Sequence, residues 1–174
     1  MKKLLVVVDM QNDFVDGALG TVEAQAIVAP VVERIKAHQG PVVFTRDTHG
    51  EDYLQTQEGR NLPVKHCIKG TEGWQLTPAV DALVGDRKVF DKMTFGSVEL
   101  AHYVSRLFRA GEIDGVELIG LCTDICVISN AMLVKAAEPE MAVLVDGRCC
   151  AGVTPQSHKN ALGAMKMCQI GVRE

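Results

Sequence analysis

Five short runs of apolar, β-branched residues recur along the chain, and they constrain its fold more than any other feature. The runs are apolar throughout rather than alternating, which is typical of strands that are buried on both faces. The predicted strands are residues 3–9, 40–47, 87–92, 115–121 and 142–146, with a short last strand around 170–172, and the helical patterns between them cover residues 22–39, 97–110, 124–137 and 155–167. This alternation predicts an α/β fold: a doubly wound (Rossmann-like), mostly parallel sheet with helices on both faces.

The chain has 174 residues, which suits one well-buried domain and is short for two. No repeat, linker or low-complexity segment divides it, so we predict a single domain over residues 1–174. The longest irregular stretch is the polar segment 48–78, and loops of that length inside a compact domain usually carry function.

Charge and hydropathy exclude several classes of partner. The net charge is −4 with no basic block, so the sequence predicts no nucleic-acid partner and no binding to anionic membranes. The opening "MKKLLVVVD" has an apolar run too short for a signal peptide, and no stretch approaches the roughly 20 apolar residues of a membrane span. We therefore expect a cytoplasmic protein.

Chemically useful side chains follow the predicted strands at their carboxyl ends, where open parallel sheets bind ligands. These residues are Asp9, Asp47, Asp91, Lys92, Cys122, Cys126 and Asp146. Acids, a lysine and a cysteine from separate strands are thereby expected to converge on one edge of the sheet, as in a catalytic site.

Cys126 lies in "GLCTDICV", a predicted turn from strand into helix. The first turn of a helix favours a thiolate and offers backbone N–H groups, here those of Cys122 and Cys126, for an oxyanion. The alternatives are a buried, inert thiol or a crosslink between the two cysteines.

Asp9 and Lys92 are the candidate partners of this cysteine. A carboxylate at the end of the first strand can take a proton from the thiol and return it to a leaving amine. A lysine at the same edge can lower the pKa of the thiol and hold the carboxylate in place.

A second group of side chains is suited to a metal ion. "RDTH" places Asp47 and His49 two residues apart, and Glu58 and His66 follow in the polar segment, with Cys67 as a possible substitute ligand. Two imidazoles with one or two carboxylates suit Zn²⁺, Mn²⁺ or Fe²⁺. Scattered polar loop residues are the alternative interpretation.

The motifs "VVVDMQNDF", "FTRDTH", "HCIKGTEGW", "VFDK" and "GLCTDICV", in this order and over essentially the whole chain, resemble the isochorismatase-like cysteine hydrolases, the superfamily that contains nicotinamidases. The resemblance implies a catalytic triad of Asp9, Lys92 and Cys126, with an oxyanion hole from the Cys122 and Cys126 amides. It also implies a cis peptide before Cys122 and a doubly wound fold in a homo-oligomer.

The resemblance further implies a divalent metal, zinc or else manganese or iron, that binds the pyridine nitrogen of a substrate. Asp47, His49 and His66 match three of its ligands, and Glu58 matches the fourth. Phe14 matches an aromatic residue that lines the substrate pocket. One departure is "LPVKH", which has no aromatic residue before His66.

The sequence therefore predicts a cysteine amidohydrolase that acts on a small-molecule carboxamide through a thioester, with nicotinamide as the first candidate. A second candidate is another amide, or a carbamoyl or ureido compound, cleaved by the same triad. A sensor that uses its metal or thiol without turnover, or a catalytically degenerate interaction subunit, is the alternative from another class.

Overall fold

The strands form one six-stranded sheet in a computed structural model, which describes residues 2–174. Their order across the sheet is β3-β2-β1-β4-β5-β6, and every pairing of neighbours is parallel. The strands are β1 (Lys3–Val8), β2 (Val42–Asp47), β3 (Val89–Lys92), β4 (Gly115–Leu121), β5 (Ala142–Ala151) and β6 (Gly171–Arg173). The predicted α/β architecture is confirmed.

Helices connect these strands. They are α1 (Asn12–Val15), α2 (Val22–Ala26), α3 (Val28–Ala37), α4 (Gln57–Asn61), α5 (Pro78–Asp81), α6 (Val98–Arg109), α7 (Ile128–Ala137) and α8 (Pro155–Met167). A 3-10 turn covers Tyr53–Gln55, and a π-helical turn covers Thr123–Val127, directly before α7. In the part of the chain that the structure describes, none of the helices is long and apolar enough to span a bilayer.

Both faces of the sheet carry a hydrophobic core, which explains the continuous apolar runs of the strands. In β1, Val6 and Val8 join the core under α6, α7 and α8, whereas Leu5 and Val7 join the core under α2, α3 and α5. Successive side chains of a strand point to opposite faces, so a strand that is covered on both sides needs apolar residues at every position.

Two predicted elements differ from the structure. The pattern over residues 22–39 forms two helices that meet at Ile27 instead of one. Strand β5 continues five residues beyond Asp146, so this side chain lies within the strand rather than at its carboxyl end. Its carboxylate instead pairs with Arg148 and Arg173.

The chain order places a topological switch point between β1 and β4. The connection from β1 leads to β2 on one side, and β4 lies on the other, so the two carboxyl ends open a crevice. Gly120, near the end of β4, has φ of 114°, and a Cβ there would lie 2.1 Å from the carbonyl oxygen of Val8. Glycine therefore allows the two strands to approach closely at the crevice.

Candidate active site

The predicted catalytic side chains meet at this switch point, and all three are buried. Asp9 directly follows β1, Lys92 is the last residue of β3, and Cys126 lies on the π-helical turn after β4. Their exposed fractions are 0%, 3% and 4%. Three separate segments of the chain thus deliver a carboxylate, an ammonium and a thiol to one point.

Lys92 is the centre of the arrangement. Its Nζ lies 2.6 Å from Asp9 Oδ2, 3.2 Å from Asp47 Oδ1 and 3.3 Å from Cys126 Sγ. The ammonium donates hydrogen bonds to Asp47 and Cys126 and forms a close ion pair with Asp9. The lysine is therefore fixed in position by the groups that it joins.

Burial governs the ionisation of this cluster. Burial raises the pKa of Asp9 above its ordinary value, although the charge of Lys92 opposes the shift. Burial also disfavours the ammonium, but Asp9, Cys126 and Asp47 together outweigh it, and the pKa of Lys92 lies well above its ordinary range. Burial, reinforced by the charge of Asp9, raises the pKa of Cys126 well above its ordinary value in spite of Lys92.

The resting form of Cys126 is therefore a neutral thiol. A helix start and a nearby lysine both stabilise a thiolate, but they do not bring the pKa of this thiol below its ordinary value. Desolvation at a site that is almost fully buried exceeds both effects. A thiol in this state needs a base before it can act as a nucleophile.

Thr45 orients the carboxylate that can serve as this base. Its hydroxyl donates a hydrogen bond of 2.6 Å to Asp9 Oδ1, and it accepts one of 3.2 Å from the Asp9 amide. Asp9 has φ of 47°, in the left-handed region, so its backbone turns sharply as it leaves β1. The two oxygens of Asp9 consequently face Thr45 and Lys92.

The turn that carries Cys126 begins at Cys122, and the peptide between Leu121 and Cys122 is cis, as the resemblance implies. The amides of Ile125 and Val127 both donate to the carbonyl of Cys122. All six cysteines are free thiols, which does not support the crosslink between Cys122 and Cys126.

Asp47, His49, Glu58 and His66 form a second cluster beside the first, and their ligand atoms all lie within 4.8 Å of one another. His49 Nε2 lies 3.0 Å from Asp47 Oδ2 and 3.6 Å from Glu58 Oε1. His66 Nε2 lies 3.8 Å from each of the same two oxygens. The four side chains form a group that can hold a metal ion, and Cys67 is outside it.

Local contacts prepare this group for a cation. His66 Nδ1 lies 2.8 Å from the carbonyl oxygen of Val64, so it carries the proton and leaves the lone pair of Nε2 free for a metal. Burial acts to raise the pKa of Asp47, but the hydrogen bond from His49 and the charge of Lys92 lower it below its ordinary value. Tyr53 packs against both imidazoles, with ring centroids 4.6 and 5.0 Å away.

A cavity of about 450 Å³ opens over both clusters. Cys126, Cys122, Asp47, Glu58 and His66 line it, and Phe14 lies on its wall with its ring centroid 5.5 Å from that of His66. The other walls are mostly apolar, formed among others by Leu19, Leu62, Met93, Phe95 and Ile125. Cys126 thus faces a space suited to a small, largely apolar molecule.

Some of the residues that shape the site could not be identified from the sequence. Leu62, Met93 and Phe95 lie in loops, where no periodicity indicates which side chains point inward. Gln11 is fully buried and exchanges hydrogen bonds with the backbone of Asp47, 2.7 Å from its amide and 2.8 Å from its carbonyl oxygen. The one sequence feature that points to Gln11 is its place in the motif "DMQNDF", directly after the first strand.

Known proteins share this arrangement of the whole chain. The "Nicotinamidase/pyrazinamidase" of Mycobacterium tuberculosis is 27% identical over 187 residues, covering 97% of this chain and 96% of that protein. A crystal structure of a nicotinamidase/pyrazinamidase from Bacillus subtilis is 30% identical, covers 100% of both chains and has a TM-score of 0.78. A pyrazinamidase of Pyrococcus horikoshii in complex with zinc is 27% identical, covers 100% of this chain and 99% of that chain, and has a TM-score of 0.79.

A comparison with protein families identifies the family of the chain. A family model described as an isochorismatase domain matches residues 3–173, from the start of β1 to the end of β6. The match includes all seven side chains of the two clusters, so it extends over the site as well as the sheet that supports it. The chain belongs to the isochorismatase family.

Proposed function

We propose that this protein hydrolyses nicotinamide to nicotinate and ammonia through a thioester on Cys126. The observation that carries the proposal is the position of Lys92 Nζ, within 3.3 Å of Asp9, Asp47 and Cys126. The cavity above it is lined by three of the four residues of the metal-binding group. The relatives named above, which are nicotinamidases and pyrazinamidases, support the choice of a small heteroaromatic carboxamide.

The acylation half of the reaction follows from the ionisation of the cluster. Asp9 accepts the proton of the Cys126 thiol, and the sulfur attacks the carboxamide carbon to form a C–S bond. The proton then passes from Asp9 to the amide nitrogen, the C–N bond breaks and ammonia leaves. Lys92 remains protonated throughout and compensates the charge of the carboxylate.

The deacylation half reuses the same base. Asp9 takes a proton from a water molecule, whose oxygen attacks the thioester carbon. The C–S bond breaks, the sulfur regains its proton from Asp9, and the product leaves as the acid and gives its remaining proton to solvent to become nicotinate. In both halves the backbone amides of Cys122 and Cys126 are proposed to stabilise the oxyanion of the tetrahedral intermediate.

The donor set of the second cluster fits a divalent cation. Two imidazole nitrogens and two carboxylate oxygens suit zinc, and the zinc complex of the Pyrococcus pyrazinamidase supports this choice over manganese or iron. Asp47, His49, Glu58 and His66 would hold the ion, which supplies a Lewis acid for the ring nitrogen of the substrate. Phe14 and Phe95 would then contact the ring from the cavity walls.

Comparing nicotinamide with benzamide tests the assignment. Benzamide keeps the carboxamide and the ring but lacks the ring nitrogen. We expect the zinc-loaded protein to release ammonia and nicotinate from nicotinamide, with a kcat/KM at least about 100-fold above that for benzamide, since the missing nitrogen removes a directed contact. If fully zinc-loaded protein releases no ammonia from nicotinamide, nicotinamide is not the substrate. Equal rates for the two amides would contradict recognition of the ring nitrogen.

Three further expectations remain predictions from the sequence: the homo-oligomeric assembly, the cytoplasmic location and the single domain over residues 1–174. The sensor alternative differs from the proposal in one measurable respect, because a sensor binds or is oxidised once per site and shows no turnover.

A further inference from the structure

Asn130 is a fully buried polar residue on α7 that the mechanism above does not use. Its Nδ2 donates to the carbonyl oxygen of Cys126 at 2.8 Å and to that of Phe95 at 3.2 Å. Its Oδ1 accepts from the amide of Ser97 at 2.9 Å. Both protons and the oxygen of the amide group are engaged, so the side chain has a single well-defined orientation.

These contacts join two segments across more than 30 residues of sequence. One is the π-helical turn with the nucleophile. The other is the loop of residues 93–97, which follows Lys92 and places Met93 and Phe95 on the cavity wall. Ser97, at the end of this loop, also caps α6 by accepting from the amide of Leu100 at 3.1 Å.

Gly96 brings the same loop against α7 with no space left between them. A Cβ at this position would lie 2.6 Å from Leu133 Cδ1 and 3.2 Å from the carbonyl oxygen of Ser129. The loop is therefore fixed to α7 in two independent ways, by the side-chain amide of Asn130 and by close packing at Gly96.

We infer that Asn130 is a positioning residue that sets the distance between the Cys126 nucleophile and the Phe95 wall against which the substrate ring rests. This inference rests on the proposed function, because it assigns the wall a role in holding the ring for attack. Displacement of reacting groups by about 1 Å can cost on the order of 100-fold in rate.

Two substitutions of Asn130 separate its contact to Cys126 from its contacts to the loop of residues 93–97. In Asn130→Ser the hydroxyl can still donate to the carbonyl four residues earlier, as Ser129 does to Ile125 at 2.6 Å, but it does not reach the loop. We expect its KM and its inhibition constant for nicotinate to rise roughly tenfold while kcat stays within about threefold of the wild type. In Asn130→Ala, which also loses the contact to Cys126, kcat should fall by about 10- to 100-fold as well.

Gly96→Ala tests the same loop without altering Asn130. The added methyl group pushes the loop away from α7, so KM should rise as in Asn130→Ser while kcat changes little. The matched control is Ser129→Ala, which removes one hydrogen bond from the neighbouring position of α7 and leaves the loop contacts intact. Its kcat and KM should remain within about twofold of the wild type.

Hydrogen exchange provides a readout that does not depend on the substrate. Peptides covering residues 93–97 should exchange faster in both Asn130 variants and in Gly96→Ala, but not in Ser129→Ala. Faster exchange without any hydrolysis of nicotinamide by the wild type would refute the proposed function and leave the connection between the two segments supported.

The inference is overturned if Asn130→Ala keeps the wild-type kcat and KM. It is also overturned if Asn130→Ser and Asn130→Ala lower kcat equally with no change in KM, since a purely structural role would reduce only the amount of active protein.

Discussion

Asp47 and Lys92 lie opposite each other in the register of β2 and β3, with Asp47 Oδ1 3.2 Å from Lys92 Nζ. The other carboxylate oxygen, Oδ2, lies 3.0 Å from His49 Nε2 within the metal-binding group. One side chain therefore belongs to both clusters. A cation bound beside His49 and the ammonium of Lys92 would share this carboxylate, so the nucleophile and the metal-binding group keep a fixed distance.

Replacing Lys92 with methionine tests the buried charge cluster. The substitution keeps much of the side-chain volume but leaves the carboxylates of Asp9 and Asp47 without their shared cation. Unpaired buried charges are costly, so we expect the free energy of unfolding to fall by about 3–5 kcal/mol in urea denaturation. Adding Asp9→Asn should recover part of the loss, because it removes one of the unpaired charges.

Lys88→Met is the matched control for this experiment. Lys88 precedes β3 and its exposed ammonium lies 3.0 Å from Glu99 at the surface. Its loss should cost at most about 1 kcal/mol. Equal free energies of unfolding for the Lys92 and Lys88 variants would mean that the buried charge cluster does not stabilise the fold more than a surface ion pair does.

The pH dependence of the reaction should report the ionisation of Asp9. The carboxylate form is the active base, so activity is present above its pKa and is lost as the pH falls through it. Burial raises this pKa, and the hydrogen bond from Thr45 counteracts the shift. Thr45→Val keeps the shape without the hydroxyl, and we expect the acidic limb of log(kcat/KM) to move to higher pH by about one unit.

A limb that stays at the same pH in Thr45→Val would assign the titration to another group. Asp9→Asn provides the complementary measurement. It should lower kcat by about 10²- to 10⁴-fold and remove the acidic limb, because the carboxylate that titrates in this limb has been replaced.

Glu58 is a proposed metal ligand on the short helix α4, within the long segment of residues 48–78. Its side chain is partly exposed, and Oε1 lies 3.6 Å from His49 Nε2 and 3.8 Å from His66 Nε2. We expect Glu58→Ala to weaken zinc binding by at least about 100-fold, measured in competition with a chromophoric chelator. Loss of a residue that contacts only a metal ligand, and not the metal itself, would have a smaller effect.

Glu51→Ala is the control for this measurement. It removes an exposed carboxylate in the same irregular segment, 3.4 Å from Lys65 Nζ and outside the metal-binding group. Its zinc affinity should match that of the wild type. Unchanged affinity in Glu58→Ala would remove Glu58 from the ligand set.

The position of the site could be predicted because strand ends are visible in the sequence. Apolar runs that stop at Asp9, Asp47 and Lys92 mark the carboxyl edge of the sheet, and parallel pairing brings these ends together. Asp146 shows where this reasoning fails. The apolar pattern pauses at residues 146–148 and then resumes, so the pattern predicts a strand of five residues where the structure has one of ten.

The ionisation of Cys126 and the identity of the cavity walls depend on tertiary structure. A helix start predicts a thiolate only while the sulfur stays in contact with water, and here the surrounding core removes that contact. Phe95 and Met93 lie in a loop whose path is set by Asn130 and Gly96, contacts across more than 30 residues of sequence. No local pattern in the sequence encodes these two features.

The most direct test of the account compares two buried cysteines of the same core cluster. Cys126 and Cys150 are both 4% exposed, and of these two only Cys126 lines the cavity. With nicotinamide and zinc-loaded protein, we predict that Cys126→Ala loses at least about 10³-fold in ammonia release while Cys150→Ala retains the wild-type rate within about threefold. Ammonia release by Cys126→Ala at a rate similar to that of Cys150→Ala would contradict a thioester mechanism at this residue.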